Sequence, residues 1–422
     1  MPEVFILADD LSGAADCAGG CAAAGLDTVV LLAPDLAARA RVIAIDLDTR
    51  ESWAGEAGLT MARTLERAWD PNIKVIYHKI DSTLRGAWAH ELAAARQSLA
   101  AMIGSAPLAL IAPAFPARGR TTRAGRVLVE ASSSKPVAVA RDAGVIAAPL
   151  RQLGLDVRSL ARGEVNATTP ALAQRFAALA RAKVDAVVCD AETEQDLAAI
   201  AAAGLASSLP LLWVGSAGLM RPLAAALADS DTRPVALPAV RGPLLFVVGS
   251  AAAAARAQAE VLAAEPDITV IRLRPEDLMQ GHAALAAALE AGLDRGRDIA
   301  LLIDPASPAH GPLDPALVAR LADIAGPRLA RTGGLVATGG ETARRLLERA
   351  CISSIKLGGE MEVGIPWGIA LGAPARQPQL LEAEASNVIG WEPSFPIVTK
   401  AGGFGDPGTL VRCRQVLKTK ER

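Results

Sequence analysis

Short, unbroken apolar runs that end in carboxylates or glycines and then open into helical stretches recur along this chain, and they confine it to an α/β fold with mainly parallel strands. Val4-Phe-Ile-Leu-Ala8 runs into Asp9-Asp10-Leu11-Ser12-Gly13 and an alanine-rich helix that reaches Gly25. Leu108–Ala112, Leu211–Val214, Leu244–Val248, Ile299–Ile303 and Leu335–Ala337 repeat the form. A run with no polar face has nothing to show to water, so it belongs in a sheet covered by helices on both sides. Such sheets keep their ligands at the carboxyl ends of the strands, where the loops turn back into helices. Those loops are therefore where chemistry is expected.

A chain of 422 residues exceeds one ordinary core, and roughly 100 to 200 residues per domain predicts two large domains. With 51% apolar but only 3% aromatic residues, the cores must be built from Leu, Val, Ile and Ala in close helix-to-sheet packing. Asp229 to Pro243 is polar and holds Pro234, Pro238 and Pro243, the composition of a linker. The expected organisation is two α/β domains with mainly parallel sheets flanked by helices: residues 1–232, a linker at 233–243, and residues 244–422.

The first half concentrates its charge on strand-end loops. Asp9 and Asp10 follow the first strand; capping of the next helix, where Ser12 is also a candidate cap and Gly25 a stop, accounts for one of them more readily than for both. Strands at Thr28–Leu32 and Val42–Asp46 are followed by Asp48-Thr49-Arg50, and a helix through Leu59–Ala68 precedes Lys74-Val-Ile-Tyr-His78. That strand runs into Lys79-Ile-Asp81-Ser82-Thr83-Leu-Arg85-Gly86. Lys79 and Arg85 offer fixed positive charge to a carboxylate or phosphate, and Ser82 and Thr83 can hydrogen-bond hydroxyls. Charged loops are often merely solvated; a shared position after predicted strands is what marks Asp10, Arg50 and Lys79. Pro113 to Thr122 is read as a loop stiffened by prolines and freed at Gly119, so that Arg120 can reach a ligand. Ala131 to Asn166 reads as mixed loop, strand and short helix, and Gly215-Ser-Ala-Gly-Leu219 again turns a strand into a helix.

In the second half, Leu335-Val-Ala-Thr-Gly339-Gly340-Glu341-Thr342 leads into a helix whose Ala343, Leu346, Leu347 and Ala350 share one face. Ile355-Lys-Leu-Gly358-Gly359-Glu360-Met361 repeats the Gly-Gly-Glu, and Gly402-Gly403-Phe404-Gly405 adds a third cluster. Glycines let backbone amides approach an anion, and free amides at a helix start favour negative charge. Either Gly-Gly-Glu alone is equally a tight turn; their succession points to a nucleotide. Gly403, Gly405 and Gly408 spell a formal G-x-G-x-x-G, but Pro407 lies inside it and only fourteen residues follow, which excludes a Rossmann dinucleotide unit. No G-x-x-x-x-G-K-[ST] is present, so this is not a P-loop protein.

A formal net charge of −2 argues against a nucleic-acid or anionic-membrane partner and for a small ligand. Five scattered cysteines without a Cys-x-x-Cys pair, and four histidines without ligand spacing, give no disulfide framework and no protein-held metal site. No apolar run approaches the ~20 residues of a membrane span, and Asp9 and Asp10 interrupt any signal-peptide core, so a cytoplasmic protein is expected.

Taken together the motifs resemble one family, the four-carbon acid sugar kinases, which include D-threonate, D-erythronate and 3-oxo-tetronate kinases. The resemblance runs in order through Ala8-Asp-Asp-Leu-Ser-Gly-Ala-Ala-Asp16, Lys79–Gly86, Ala112-Pro-Ala-Phe-Pro116, Gly119-Arg-Thr-Thr122, Gly215–Leu219, Thr338–Thr342, Gly358–Glu362 and Lys400–Gly405, and so spans nearly the whole chain. It implies an N-terminal domain for the acid sugar, a C-terminal domain for ATP with Mg²⁺, and phosphoryl transfer in a cleft between them. By that resemblance Asp10, Arg50, Lys79, Asp81, Ser82, Arg85 and Arg120 fall in the substrate half, and Asp9 is expected beside them; a transferred phosphoryl group needs a carboxylate to take the attacking hydroxyl's proton, for which Asp10 or Asp81 is expected. Ser250, Gly339, Gly340, Gly358, Gly359, Glu360, Met361, Gly402 and Gly403 fall in the nucleotide half. A homodimer is compatible with these motifs, which do not fix the acid or the hydroxyl.

The chain departs from the family where Gly249-Ser250-Ala251-Ala252 stands for the usual Gly-Ser-Cys-Ser, removing one thiol and one hydroxyl. Ser12 for the frequent Thr and Val363 for a usual Pro are milder. The lost groups motivate a rival expectation, a sensor that binds nucleotide or sugar acid without turnover. A nicotinamide-dependent hydroxy-acid dehydrogenase would also be glycine-rich and α/β but lacks the fingerprint.

Overall fold

The computed structural model describes residues 2–33, 38–130, 136–138, 144–229, 235–238, 240–274, 278, 283–303, 315–372 and 395–419. Of the expected linker, residues 233, 234 and 239 lie outside these, as do His282, His310 and part of the mixed stretch after Ala131. The chain divides into two units, Met1–Arg233 and Pro234–Arg422.

In the first unit the apolar runs become β1 (Val4–Ala8), β2 (Thr28–Leu31), β3 (Val42–Asp46), β4 (Val75–Lys79) and β5 (Leu108–Ala112). β6 (Arg120–Arg123), β7 (Arg126–Glu130) and β8 (Pro136–Ala138) form a separate antiparallel sheet, and β9 (Val157–Leu160), β10 (Ala186–Cys189) and β11 (Leu211–Gly215) complete the main one. The main sheet is parallel throughout, in the order β2-β3-β1-β4-β11-β5-β10-β9. Its registers set Asp46 beside Ala8, Ala8 beside Lys79, Lys79 beside Gly215 and Gly215 beside Ala112, so these carboxyl ends finish level. From β1 the chain first fills one side with β2 and β3 and then crosses to β4 on the other. That reversal opens a crevice above β1, where ligands of open α/β sheets collect.

The second unit repeats the plan with β12 (Leu244–Val248), β13 (Ile268–Leu273), β14 (Asp298–Ile303), β15 (Gly334–Thr338), β16 (Ile352–Glu362), β17 (Ile365–Gly372) and β18 (Pro396–Lys400). Its order is β13-β14-β12-β15-β18-β17-β16, parallel from β13 to β18, with β17 antiparallel to both its neighbours. Leu302, Val248, Thr338 and Lys400 finish in one row. Here too the strand order reverses, between β12 and β15.

Each unit buries its own apolar layer. Phe5, Leu7, Ile43, Ile45, Met61 and Leu92 pack in the first, and Phe246, Leu262, Leu302, Val336, Val398 and Leu410 in the second. Burying each large side chain contributes about 1.5–3 kcal/mol, which holds the strand ends in place.

Three local expectations are corrected. Asp10, not Ser12, caps the helix Leu11–Ala23, because the chain turns helical one residue after it; Gly25 does end the helix, in the left-handed region at φ 86°. Arg120 lies on a strand rather than a loop, since Arg120–Arg123 and Arg126–Glu130 pair across a turn at Ala124-Gly125 whose φ values are both positive. The second Gly-Gly-Glu does not end its strand. β16 continues through it, because a Cβ on Gly358 would lie 2.2 Å from the Trp367 ring, so the missing side chain makes room for the indole of the paired strand.

Candidate active site

Above β1, the sequence-predicted residues of the first half come together. Asp10 closes the first turn of its helix, its Oδ1 accepting from the Gly13 amide at 2.8 Å. Arg50, on the loop after β3, donates through Nε and Nη2 to Asp9 at 2.7 and 2.6 Å and through Nη1 to Asp10 at 2.6 Å. The amides of Thr49 and Arg50 both donate to the Asp9 carbonyl, which ties that loop to β1. Lys79 ends β4 and is only 4% exposed. A Cβ on Gly13 would stand 3.0 Å from its ammonium and 2.6 Å from Asp10 Oδ1, so the glycine leaves a gap between the two. The Lys79 ammonium has no hydrogen-bond or ion-pair partner among the described residues.

The turn after β4 is organised on Asp81. Its carboxylate accepts from the Thr83 amide at 3.0 Å and hydroxyl, and from Arg85 Nε and Nη2 at 3.0 and 2.9 Å. Ser82 is buried in the same turn. Arg120 faces this cluster from β6: burial lowers its pKa, the Asp81 charge raises it, and Arg118 and Arg85 lower it further.

The two candidate bases are in opposite electrostatic states. Burial pushes the Asp10 carboxyl up, Arg50 draws it down, Asp9 lifts it again, and the balance lies above the ordinary aspartate value despite Lys79 and the Gly13 amide. Burial also pushes Asp81 up, but the Arg85 hydrogen bonds, the Arg50 and Arg85 charges and the Thr83 hydroxyl hold it well below the usual carboxylate range. Asp10 therefore holds a proton more readily than Asp81, whose donors keep it an anion within its turn.

Behind Arg50 lies a network with no signal in the spacing. The Thr49 hydroxyl donates to Glu91 Oε1 at 2.5 Å, and Glu91 Oε2 lies 3.1 Å from His78 Nε2, with both Glu91 and His78 fully buried. These residues sit on a loop, a helix and a strand, and only the fold brings them together.

In the second unit, the strand ends of β12, β15 and β18 bring Ser250, Gly339 and Gly402 into contact. A Cβ on Gly402 would stand 1.8 Å from Ser250 Oγ, and one on Gly339 3.8 Å from Ser250 Cβ. Gly339 caps the helix Gly340–Arg349 with φ 103°, a conformation that excludes most side chains, and Gly340 is that helix's first residue. Gly403 has open space where a side chain would project. These absences of Cβ form a cradle of bare backbone at a sheet switch point, the arrangement a phosphate needs. Ala252 leaves the helix Ala253–Ala263 without a side-chain cap, although Ser250 Oγ accepts from the Ala252 amide at 3.3 Å. Gly358 and Gly359 lie against Trp367, Glu360 accepts from the Gly364 amide at 2.7 Å within the β16–β17 turn, and Met361 packs on the core. Sequence reasoning assigned no role to Lys400, Thr342 or Gln258; Thr342 lies against Gly249 and Gly339, and Lys400 and Gln258 both donate to the Phe404 carbonyl.

Among the described residues no cluster of three His, Cys, Asp or Glu is placed to hold a metal ion, and no helix is long and apolar enough to cross a membrane.

Two family models match the chain in order. A family described as sugar-binding N-terminal domain matches residues 4–223, and one described as nucleotide-binding C-terminal domain matches residues 245–410. The chain is 40% identical to a D-threonate kinase of Cupriavidus necator, over 98% of this chain and 97% of that protein. It is 31% identical to a 3-oxo-tetronate kinase of Methylobacterium radiotolerans, over 91% of this chain and 96% of that protein. A solved structure from Salmonella typhimurium LT2 shares the fold at TM-score 0.73 and 20% identity, covering 98% of this chain and 99% of its own. With both domain families matched in order and such identity held over almost its whole length, the chain belongs to the four-carbon acid sugar kinase family.

Proposed function

We propose that this protein transfers the γ-phosphate of ATP to a hydroxyl of a four-carbon sugar acid, with residues 1–232 holding the acid and residues 244–422 the nucleotide. The observation that carries the reading is Lys79, a residue only 4% exposed whose ammonium lies near Asp10 with no hydrogen-bond or ion-pair partner among the described residues. A cation drawn out of water without a hydrogen-bond partner is costly, and a substrate carboxylate or hydroxyl arriving there relieves that cost. Around it Asp9, Asp10 and Asp81 face Arg50, Lys79, Arg85 and Arg120, a set with positive charge to spare for one small anion.

Arg50 is committed to the two aspartates, so it positions the base rather than gripping the acid. Lys79, Arg85 and Arg120 hold the substrate, with Ser82 and Thr83 available to its hydroxyls. Asp10 accepts the proton of the attacking hydroxyl, its raised pKa matching it to that task. In the second unit the backbone around Ser250, Gly339, Gly340, Gly402 and Gly403 receives the phosphates, with Gly358 to Met361 on the neighbouring strand. Mg²⁺ bound with the triphosphate would supply charge neutralisation there; such an ion commonly needs only one or two protein carboxylates, so no preformed cluster is required. Use of ATP fits a cytoplasmic setting.

The test is an ADP-coupled assay over the stereoisomers of threonate and erythronate and their 2-oxo and 3-oxo forms, with D-threonate first because of the relative at 40% identity. Turnover with at least one acid supports the proposal. Calorimetric binding of ATP and acid with no ADP release across the panel contradicts it and favours the sensor, whose motive is the uncapped helix at Ala252.

A further inference from the structure

The lysine that opens the last glycine cluster is buried in the protein rather than offered to a ligand. Lys400 is 1% exposed, and its ammonium donates to the carbonyls of Ala401 at 3.0 Å, Phe404 at 3.0 Å and Gly402 at 3.5 Å. Gln258, fully buried on the helix Ala253–Ala263, donates through Nε2 to the same Phe404 carbonyl at 2.9 Å. In a trans peptide the carbonyl and the following amide point in opposite directions. Carbonyls 401, 402 and 404 turned in on the ammonium therefore turn the amides of Gly402, Gly403 and Gly405 away from it. None of those three amides donates to another group among the described residues.

We infer that Lys400, supported by Gln258, is the positioning residue of a phosphate nest: it gathers the loop's carbonyls inward so that three amides face the nucleotide phosphates, without itself touching them. Outward backbone amides gathered in one turn are a recognised anion concavity, here those of Gly402, Gly403 and Gly405 with the Phe404 amide bonded to the Ala401 carbonyl between them, and the buried charge behind adds a field of the right sign. This rests on the proposed ATP site and assigns a role to a side chain that a glycine-rich loop would otherwise suggest is a direct phosphate ligand.

Lys400→Met and Gln258→Leu separate the possibilities, with ATP, ADP, adenosine and sugar-acid binding measured by calorimetry alongside steady-state KM values. Lys400→Met should weaken ATP and ADP at least tenfold and raise KM for ATP in proportion, while adenosine affinity and KM for the acid move less than twofold. Gln258→Leu should weaken ATP and ADP in the same order by about threefold or more. Lys400→Met binding ATP as the wild type does would overturn the inference. So would a loss with Lys400→Met that Gln258→Leu does not share, which would make the lysine a direct ligand. Equal loss of acid and nucleotide binding in both variants would reduce the pair to general stability and also overturn it. Failure of the wild-type protein to bind ATP at all would instead sink the proposed function.

Discussion

Arg50 meets Asp9 edge-on, Nε and Nη2 reaching the two carboxylate oxygens at 2.7 and 2.6 Å. Its remaining arm holds Asp10 at 2.6 Å, so one guanidinium fixes both acids at the head of β1. A lysine ammonium is a point charge and cannot make this fork. Arg50→Lys is therefore expected to lower kcat/KM for the acid by about a hundredfold or more while KM for ATP moves less than twofold. Steady-state kinetics with each substrate varied checks this, and an equal rise in both KM values would contradict a local role.

Asp10 and Asp81 should part company in a pH profile. The acid limb of kcat/KM should lie above the ordinary aspartate value of about 3.9, because Asp10 must be ionised to accept a proton and its pKa is raised. Activity then falls as pH drops through that raised value. Asp10→Asn should lose at least about a hundredfold in turnover, the low end for a general base. Asp81→Asn should raise KM for the acid and leave the limb where it is, since Asp81 stays ionised throughout that range. A limb that vanishes with Asp81→Asn and persists with Asp10→Asn would reverse the assignment.

Glu91 carries a prediction about stability as well as activity. Replacing it with alanine leaves the Thr49 hydroxyl and His78 Nε2 facing each other's vacancy in a fully buried space. Leaving a buried polar group without its hydrogen-bond partner costs about 1–3 kcal/mol, which in a unit of this size lowers Tm by about 2–12 °C. Because Thr49 precedes Arg50, KM for the acid should rise in the folded variant. Thermal scanning calorimetry and acid titration together check it; an unchanged Tm would show that the network contributes nothing.

Gly402→Ala places a methyl 1.8 Å from Ser250 Oγ, too close without a shift of one strand end. Nucleotide affinity should fall at least tenfold. Gly403→Ala, which projects into open space, should leave the fold and its Tm unchanged, so any effect it has on ATP reports contact with the ligand itself. Titration of both variants with ATP decides this, and wild-type affinity in Gly402→Ala would remove Ser250 and Gly402 from the cradle.

The parallel strands were legible because their sequences leave no alternative: Val4–Ala8 and Leu108–Ala112 are apolar on both faces and are strands over those residues. Other strands were not. β6, β7 and β8 are short and partly polar, and β17 and β18 lie beside the glycines and prolines that read as turns. Gly358 looked like a loop residue because sequence does not show that Trp367 will lie across it. That the charged loops after β1, β3 and β4 would come together was legible, since a parallel sheet brings successive strand ends to one edge. Their internal division of labour was not. That Arg50 turns inward, that Asp81 is saturated with donors, and that Lys400 faces carbonyls are facts of angstrom-scale placement that only the folded chain contains.

Phosphorus NMR of the protein with ATP, Mg²⁺ and D-threonate tests the central claim most directly. The account predicts a new phosphomonoester signal, coupled to carbon-bound protons of the acid, that grows as the γ-phosphate signal falls and ADP appears in equal amount. Release of inorganic phosphate alone, or no change with any four-carbon acid while both ligands bind, would contradict it.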